Sequence, residues 1–342
     1  MRATHQNLSA SEAARHLGVS PKALRLYEQR GLVTPLRSEA GWRTFGPAQM
    51  ARAAEIVALR AFGLSLSQVA RILDGERESL GIALAAHQEV LDARLTALVE
   101  TIAQVRRMRE QLSRGLTPTA EELRQALSTD APSLAFDLPW PWAGEPFALR
   151  DIRPLTFIVG PLGSGKTRFA REIAKAIPSA RFLELDRAAR VADVLERKTK
   201  DAALSARIDH ALGWLIDDGA TLSDALHVLV AALEDVEPSA IVADLVEQGL
   251  DQATQEALIA FVRRRGADRA PLFLMTRSTA ILDLAAVQPT EMIIFCPANH
   301  APPSVVAPYP GTSGFEAVAT CLATPEVRAR TDGTIAWRPV VA

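Results

Sequence analysis

One glycine-rich segment near the middle of the chain constrains its fold more than any other feature. The segment 156–159 ahead of it, made of β-branched and aromatic residues, predicts a short buried strand, and apolar residues recurring every three or four positions over 168–177 predict a helix behind it. Between them the chain follows the pattern G-x-x-x-x-G-K-[ST] and reads Gly160-Pro161-Leu162-Gly163-Ser164-Gly165-Lys166-Thr167. A strand, a glycine turn and a helix in this order predict an α/β P-loop domain.

The chemistry of this turn suits the phosphates of a nucleotide. Its glycines let backbone N–H groups point at a phosphate, and the helix N-terminus adds partial positive charge. Lys166 is predicted to reach the terminal phosphates of ATP, and Thr167 is predicted to bind Mg²⁺. No guanine-reading motif is visible, and the sequence does not separate ATP from GTP. The nucleotide-binding candidates at the turn are Gly160, Gly163, Ser164, Gly165, Lys166, Thr167 and Arg168.

Composition places the chain among ordinary globular proteins. Its 342 residues are enough for two domains and a connector, with 48% hydrophobic and 23% charged residues. The N-terminus lacks the apolar core of a signal peptide, and no apolar run approaches the length of a membrane span. Two cysteines, Cys296 and Cys321, argue against a disulfide framework. These features predict a cytoplasmic protein.

Charge is unevenly distributed along the chain. Residues 1–115 carry 16 Lys and Arg against 11 Asp and Glu, a net +5; the whole chain is −2, so the remainder is −7. A positive N-terminal part on an acidic body predicts nucleic-acid binding at one end only.

The N-terminal segment has the pattern of a helix-turn-helix. Ser9 and Glu12 form a capping-box pattern for a first helix that Gly18 ends. Ser20-Pro21 then begins a second helix, which carries basic and aromatic residues suited to base edges and phosphates. Alternating residues over 31–45 predict a small hairpin behind it. The predicted DNA contacts on these elements are Ser20, Lys22, Arg25, Tyr27, Arg37, Trp42 and Arg43.

The segments 19–28, 31–33, 41–45 and 63–69 together resemble the mercury-resistance regulator (MerR) family. The resemblance covers about residues 8–75 and implies a winged helix-turn-helix that binds pseudo-palindromic promoter DNA as a homodimer. Members usually distort an over-long promoter spacer so that RNA polymerase can use it. Trp42 stands where the family more often has Tyr.

A predicted coiled coil follows the DNA-binding segment. Apolar residues form one seam at positions 91, 95, 98, 102, 105 and 112, in steps of three or four except that Arg109 occupies the seam position between the last two. The MerR family places its dimerisation helix here, whereas a single amphipathic helix packed on its own chain is the alternative. No cysteine precedes Cys296, which argues against a thiolate metal sensor.

The second half is similar to ABC-type ATPases. Two apolar runs end in an acidic residue that could hold Mg²⁺, one at Asp244 and one at Asp186. We favour Asp244 because 247–251 after it is similar to the D-loop of that family. The resemblance also places Trp140 and Trp142 where an aromatic residue stacks on adenine, and we count Trp142 among the nucleotide-binding candidates.

The chain departs from the ABC pattern at the residues that hydrolyse ATP. Leu245 stands where the catalytic Glu is expected, Arg277 replaces the switch His, and the signature glycines are absent. Glu247 is a candidate for the base and Arg277 for a phosphate contact. Our catalytic candidates are therefore Lys166, Asp244 and Glu247, for at most a weak ATPase.

The sequence as a whole predicts an α+β chain: a winged helix-turn-helix with a dimerisation helix, then an ABC-like P-loop domain. The expected domains are 1–75, 76–115, a linker over 116–134, and 135–342. The expected function is a MerR-type regulator that couples ATP and Mg²⁺ binding to promoter DNA. The alternatives are a small-molecule kinase that uses Asp186, fused to a DNA-binding domain, and a regulator whose P-loop is a relic.

Overall fold

A computed structural model describes residues 7–38, 41–62, 64–76, 78–114, 134–142, 144–149, 152–265, 269–324 and 327. The chain divides into two compact units, Met1–Ser133 with Leu149–Ile152, and Leu134–Ala148 with Arg153–Ala342. Except for Leu134, the predicted linker lies outside the described residues. No helix among the described residues is both long enough and apolar enough to cross a membrane.

The first unit contains the predicted helix-turn-helix. Its helices before the long connector are α1 Ala10–Leu17, α2 Pro21–Gln29, α3 Pro47–Ala61 and α4 Leu66–Leu73. The predicted capping box is confirmed, because Ser9 and Glu12 exchange side-chain and backbone hydrogen bonds at the start of α1. Gly18 ends α1 with a φ of 66°, a left-handed conformation that glycine adopts without a steric penalty.

A three-stranded sheet forms the wing beside these helices. Its strands are β1 Leu8–Ser9, β2 Leu36–Arg37 and β3 Arg43–Phe45. β3 lies in the middle and pairs antiparallel with both neighbours. Phe45 and Leu24 lie together in the buried core of this unit, so the wing and α2, the second helix of the helix-turn-helix, share one hydrophobic core.

A single long helix, α5, spans Glu78–Ser113. Apolar side chains on it remain exposed in the isolated chain: Leu95 by 59%, Ile102 by 43%, Val105 by 42% and Leu112 by 54%. These four residues belong to the predicted seam.

The second unit is an α/β fold built on a six-stranded sheet. Its strands are β6 Leu155–Val159, β7 Arg181–Leu183, β8 Ile241–Ala243, β9 Leu272–Met275, β10 Glu291–Phe295 and β11 Ser304–Val306. Their order is β11-β10-β6-β9-β8-β7, and all neighbours are parallel except the antiparallel edge strand β11. β6 and β8 are buried along their length, as expected for strands covered on both faces.

Helices complete the second unit. They are α6 Lys166–Ala176, α7 Val191–Lys200, α8 Ala202–Asp217, α9 Asp224–Leu233, α10 Gln252–Arg263 and α11 Phe315–Cys321. Short 3₁₀ segments lie at Arg187–Arg190 and Leu284–Ala286. α9 is buried on nearly every face, so it forms part of the core.

A two-stranded hairpin, β4 Leu134–Asp137 and β5 Pro146–Leu149, packs on α6. Three phenylalanine rings make this contact, with Phe136 6.0 Å and Phe147 4.9 Å from Phe169. The packing fixes the turn of the hairpin next to the glycine-rich segment.

Candidate functional site

The glycine-rich turn joins β6 to α6 at the carboxyl edge of the parallel strands, where α/β sheets bind ligands. Gly163 and Gly165 have φ values of 80° and 88°, so both need the freedom of glycine. A Cβ on Gly160 would lie 2.3 Å from the carbonyl oxygen of Cys296. At Gly160 the backbone therefore lies too close to this carbonyl group for any side chain.

Lys166 is buried inside this turn. Its Nζ donates to the Pro161 carbonyl oxygen at 2.6 Å and lies 3.4 Å from the Ser164 hydroxyl. Burial lowers the pKa of Lys166, with a further contribution from the positive charge of Arg277. A buried ammonium group close to a second cation is poised to gain from an anion.

Thr167 and Asp244 come together at the predicted Mg²⁺ site. The Thr167 Oγ1 donates to the Asp244 Oδ2 at 3.1 Å. Burial raises the pKa of Asp244, although the hydrogen bond from Thr167 and the charges of Arg187 and Lys166 oppose that rise. Asp186, the alternative carboxylate, is exposed beyond β7. Hydroxyl and carboxylate oxygens are the ligands that Mg²⁺ prefers, so the fit favours Asp244.

Glu247 and Arg277 are linked by a hydrogen bond. The Glu247 Oε1 accepts the backbone N–H of Arg277 at 3.0 Å, and Glu247 is only 3% exposed. Leu245, which stands between the two acidic residues, has a positive φ of 38°. Glu247 therefore supports the backbone at the end of β9, and a role as catalytic base stays a prediction.

Arg187 is a site-supporting residue that the sequence analysis missed. It is 2% exposed and donates to the carbonyl oxygens of Asp244, Leu245 and Val246 at 2.5, 2.9 and 2.9 Å. Burial lowers its pKa. Arg187 thus fixes the backbone that presents Asp244, and no local motif marks it because its partners are almost 60 residues away.

The two tryptophans have different places. Trp142 is 2% exposed and lies beneath Gly165, whose added Cβ would be 2.6 Å from the indole. Its Nε1 donates to the Ala301 carbonyl oxygen at 3.1 Å. The nucleotide-stacking prediction for Trp142 is therefore wrong, because its ring is buried as support for the turn. Trp140 is 70% exposed, and the Arg168 guanidinium lies 4.5 Å from its ring centroid.

A cleft of about 370 Å³ unites these groups. The charged side chains that line it are Lys166, Arg168, Asp244 and Arg277. Trp140 and His300 lie at the same cleft, together with backbone of the glycine-rich turn. Among the described lining residues three cations stand with one carboxylate, a net positive charge that suits an anionic ligand.

The first unit carries a second, basic cleft of about 540 Å³. Its lining comes from α2 and the wing: Arg25, Glu28, Gln29, Arg37 and Arg43. Arg43 forms an ion pair with Glu28 at 2.8 Å, and Arg37 donates to the Gly41 carbonyl oxygen at 3.1 Å. The structure therefore brings three of the predicted DNA-binding arginines together.

Of the other residues predicted to contact DNA, some are exposed and some are buried in the core. Trp42 is 75% exposed at the wing, and Lys22 is partly exposed on α2. Ser20 is buried and its hydroxyl accepts the Ala23 N–H at 3.1 Å, so it caps α2. Tyr27 is 6% exposed and packs in the core. The predictions for Ser20 and the Tyr27 ring are corrected to structural roles.

Comparison with known proteins identifies relatives of the first unit. The model of the MerR HTH family regulatory proteins matches residues 8–76. An uncharacterized HTH-type regulator of Synechocystis is 31% identical over 112 residues, which are 32% of this chain and 80% of that protein. The heavy metal-dependent transcription regulator 2 of Rhizobium meliloti is 31% identical over 100 residues, which are 27% of this chain and 68% of that protein.

Other matches cover less of the matched protein or have lower sequence identity. The transcriptional activator TipA of Streptomyces coelicolor is 33% identical over 115 residues, and the chain spans 46% of its length. A MerR-family regulator from Bacillus cereus matches 35% of this chain with 21% identity and a TM-score of 0.25. A nucleotide-free ATP-binding cassette from an ABC transporter matches 58% of this chain with 13% identity and a TM-score of 0.38.

Proposed function

The chain belongs to the MerR family of helix-turn-helix regulatory proteins, and from that premise we propose that it couples Mg²⁺–ATP binding to promoter DNA. One observation carries the proposal: the chain that holds the winged helix-turn-helix also holds a P-loop with Thr167 and Asp244 in contact. The proposed protein is a cytoplasmic homodimer whose effect on the promoter is read by RNA polymerase.

The DNA-binding part of the proposal rests on the basic cleft of the first unit. Arg25 lies exposed on α2, and Arg37 and Arg43 extend from the wing beside it. In winged helix-turn-helix proteins the second helix enters the major groove, while neighbouring cations contact phosphates. Arg25 is the proposed base or phosphate contact, and Arg37 and Arg43 are the proposed phosphate contacts.

The nucleotide part rests on the cleft of the second unit. The backbone N–H groups of the turn and the N-terminus of α6 would hold the phosphates of ATP, with Lys166 and Arg277 at the outer ones. Thr167 and Asp244 would hold Mg²⁺. The exposed ring of Trp140 is the proposed adenine contact, in place of the buried Trp142.

Hydrolysis is proposed to be slow. Among the described residues that line the cleft, Asp244 is the single carboxylate, and it contacts Thr167. Glu247 is buried and accepts a backbone N–H, so no carboxylate of the described lining remains to orient a water molecule. The site is suited to hold ATP and thereby to report its concentration.

Coupling requires that the nucleotide have different affinities for two shapes of the dimer. A DNA-binding titration on the upstream promoter region tests this with no nucleotide, with Mg²⁺–ADP, and with Mg²⁺ and a non-hydrolysable ATP analogue. The expected result is a change of at least fivefold in affinity, or a change in DNA bending, with the ATP analogue alone. Equal affinity and equal bending in all three conditions would refute the coupling.

The kinase alternative has less support. It assigns the acidic role to Asp186, which is exposed and follows the edge strand β7, three strands from the β6 strand that leads into the glycine-rich turn. Transfer of phosphate from ATP to a metabolite would nevertheless favour the kinase alternative. The regulator proposed here at most hydrolyses ATP slowly and phosphorylates no metabolite.

A further inference from the structure

The second unit contains another cleft, of about 440 Å³, which the proposed function does not use. It lies between α8 and the residues that follow α10. The basic side chains that line this arginine cleft are Arg207, His210, Arg264, Arg265 and Arg269. Glu234 is the single acidic residue of the described lining.

The arginine cleft is separate from the nucleotide cleft. Arg269 stands three residues before β9 begins at Leu272, at the amino end of that strand. The P-loop follows the carboxyl end of β6, which is parallel to β9. The two clefts therefore lie at opposite ends of the parallel strands. A ligand of the arginine cleft is thus not the P-loop nucleotide.

Several of these arginines are anchored to the end of α9. Arg207 donates to the Glu234 carbonyl oxygen at 3.0 Å, and Arg265 donates to the Leu233 carbonyl oxygen at 2.9 Å. Arg269 forms an ion pair with the Glu234 carboxylate at 3.3 Å. The contacts of Arg207 and Arg269 each use one N–H of a guanidinium that has five. Both side chains are thus oriented and retain donors for a ligand.

Positive charge predominates among the described residues that line the cleft. Four arginines stand there with one carboxylate, that of Glu234, and with the C-terminus of α9, which carries a partial negative charge. Like charges collected in a partly buried cleft repel each other, so this arrangement indicates an anionic partner.

An aromatic floor lies beside the arginines. The Arg264 guanidinium is 4.8 Å from the ring centroid of Trp214 and 5.7 Å from that of Phe261. Phe261 lines the cleft and is 5% exposed. A stacked guanidinium is held in a fixed plane, and the volume of the cleft is in the range of small-molecule sites.

We propose that the arginine cleft binds a small phosphate ester or polyphosphate, as a second ligand distinct from the P-loop nucleotide. The planar guanidinium fork matches two phosphate oxygens at once, which a single ammonium cannot do. A concave site of this size suits a small molecule better than an extended acidic protein segment. The regulator then has two anion sites, one at each end of the parallel strands of one sheet.

The test uses the full-length chain with the P-loop disabled by Lys166→Ala. Inorganic pyrophosphate is titrated calorimetrically without Mg²⁺, and one binding site per chain is expected. Adding His210→Glu, which places a negative charge in the cleft at an exposed residue, is expected to weaken binding at least tenfold. Adding Arg207→Gln and Arg269→Gln together is expected to do the same. The control is Lys200→Ala, because this lysine is exposed and pairs with Glu196 away from the cleft.

Two results would overturn the proposal. One is the absence of pyrophosphate binding at millimolar concentration in the Lys166→Ala protein. The other is unchanged binding in both cleft variants when circular dichroism shows them to be folded. Citrate is the carboxylate comparison and is expected to bind at least tenfold more weakly; equal binding would refute the assignment to phosphate. Because the P-loop is disabled throughout, failure here leaves the nucleotide proposal untouched, and the reverse also holds.

Discussion

Thr167 and Asp244 are 77 residues apart in the chain, yet the Thr167 hydroxyl lies 3.1 Å from the Asp244 carboxylate. The contact arises because β6 and β8 are parallel strands of one sheet and both end at the same edge. Arg187 fixes the backbone carbonyls of Asp244 and its two successors, so the carboxylate is presented in one orientation. A pair of oxygen ligands is thereby preorganised beside the phosphate-binding turn.

Removing either member of this pair is expected to abolish magnesium-dependent nucleotide binding. For Thr167→Ala and Asp244→Asn we expect at least a tenfold loss of affinity for a non-hydrolysable ATP analogue with Mg²⁺, measured by calorimetry. Asp186→Asn is the matched control, since Asp186 is the exposed rival carboxylate. A loss confined to Asp186→Asn would reverse the assignment and favour the kinase alternative.

The stability of Asp244→Asn without ligand separates a binding role from a structural one. Burial raises the pKa of Asp244, so the folded state binds its proton more tightly than the unfolded state does. At neutral pH the ionised carboxylate therefore costs stability; that cost declines as the pH falls through the raised pKa and is gone below the pKa that Asp244 has in the unfolded chain. We expect the thermal midpoint of the asparagine variant to equal or exceed that of the wild type at pH 7. A large fall in that midpoint would make Asp244 a structural residue.

Arg277 is expected to distinguish ATP from ADP. It lines the nucleotide cleft with Lys166, and its backbone N–H is fixed by the buried Glu247. For Arg277→Ala we expect about a tenfold weaker affinity for the ATP analogue, about 1.4 kcal/mol, and little change for ADP. Arg168→Ala is the comparison; Arg168 stacks on Trp140 and should affect both nucleotides equally. Equal losses for ATP and ADP in Arg277→Ala would contradict a contact with the terminal phosphate.

Local patterns predicted much of the fold. The capping box of Ser9 and Glu12 and the glycine-rich turn before Lys166 are decided by residues a few positions apart, and the structure contains both. Residues whose role depends on distant packing were predicted less well. Trp140 and Trp142 are alike in sequence, and only the packing of the hairpin on Phe169 buries one and exposes the other.

The same reasoning explains the residues that were missed or corrected. Arg187 follows a strand with no motif around it, and its partners are the carbonyls of residues 244–246. Tyr27 stands on α2 among DNA-contact candidates, yet the helix turns its ring into the core with Leu24. Amphipathic spacing assigns a side chain to one face, whereas the packing of neighbouring elements decides which face is covered.

Asp235 is expected to make stability depend on pH in the acid range. Burial raises its pKa, but hydrogen bonds from Arg197 and Arg181, both 2.5 Å long, outweigh burial and lower it to about 2. A lowered carboxyl pKa contributes stability that is present above pH 4 and is lost as the pH falls toward 2. The shift corresponds to about 2 kcal/mol.

Urea unfolding of the wild type and of Asp235→Asn tests this. The difference in unfolding free energy should be largest at pH 7 and should shrink between pH 4 and pH 3. The comparison variant is Asp193→Asn, at an exposed aspartate of α7 for which a small effect is expected. A difference for Asp235→Asn that stayed constant over this range would show that the two arginines do not set its pKa.

Arg25 and Arg43 are expected to bind promoter DNA through charge. Arg43 is held by Glu28 at 2.8 Å, at the edge of the cleft that Arg25 lines. For Arg25→Ala and Arg43→Ala we expect weaker binding in a fluorescence titration at several salt concentrations. Each lost phosphate contact should reduce the slope of log K against log salt by about 1. Wild-type affinity and slope in the double variant would contradict the proposed interface; Lys200→Ala should leave both unchanged.

The exposed seam of α5 is expected to hold two chains together. Ile102, Val105 and Leu112 are 43%, 42% and 54% exposed in a single chain, and their heptad spacing would align them against a second helix. Ile102→Glu places a charge in that seam and should convert a dimer to a monomer, with a parallel loss of DNA affinity. Light scattering after size-exclusion chromatography measures the mass directly. Arg107→Glu changes the charge of the same helix away from the seam and should leave the dimer intact. A dimer that persists in Ile102→Glu would mean that α5 packs on its own chain, and that the partner chain binds elsewhere.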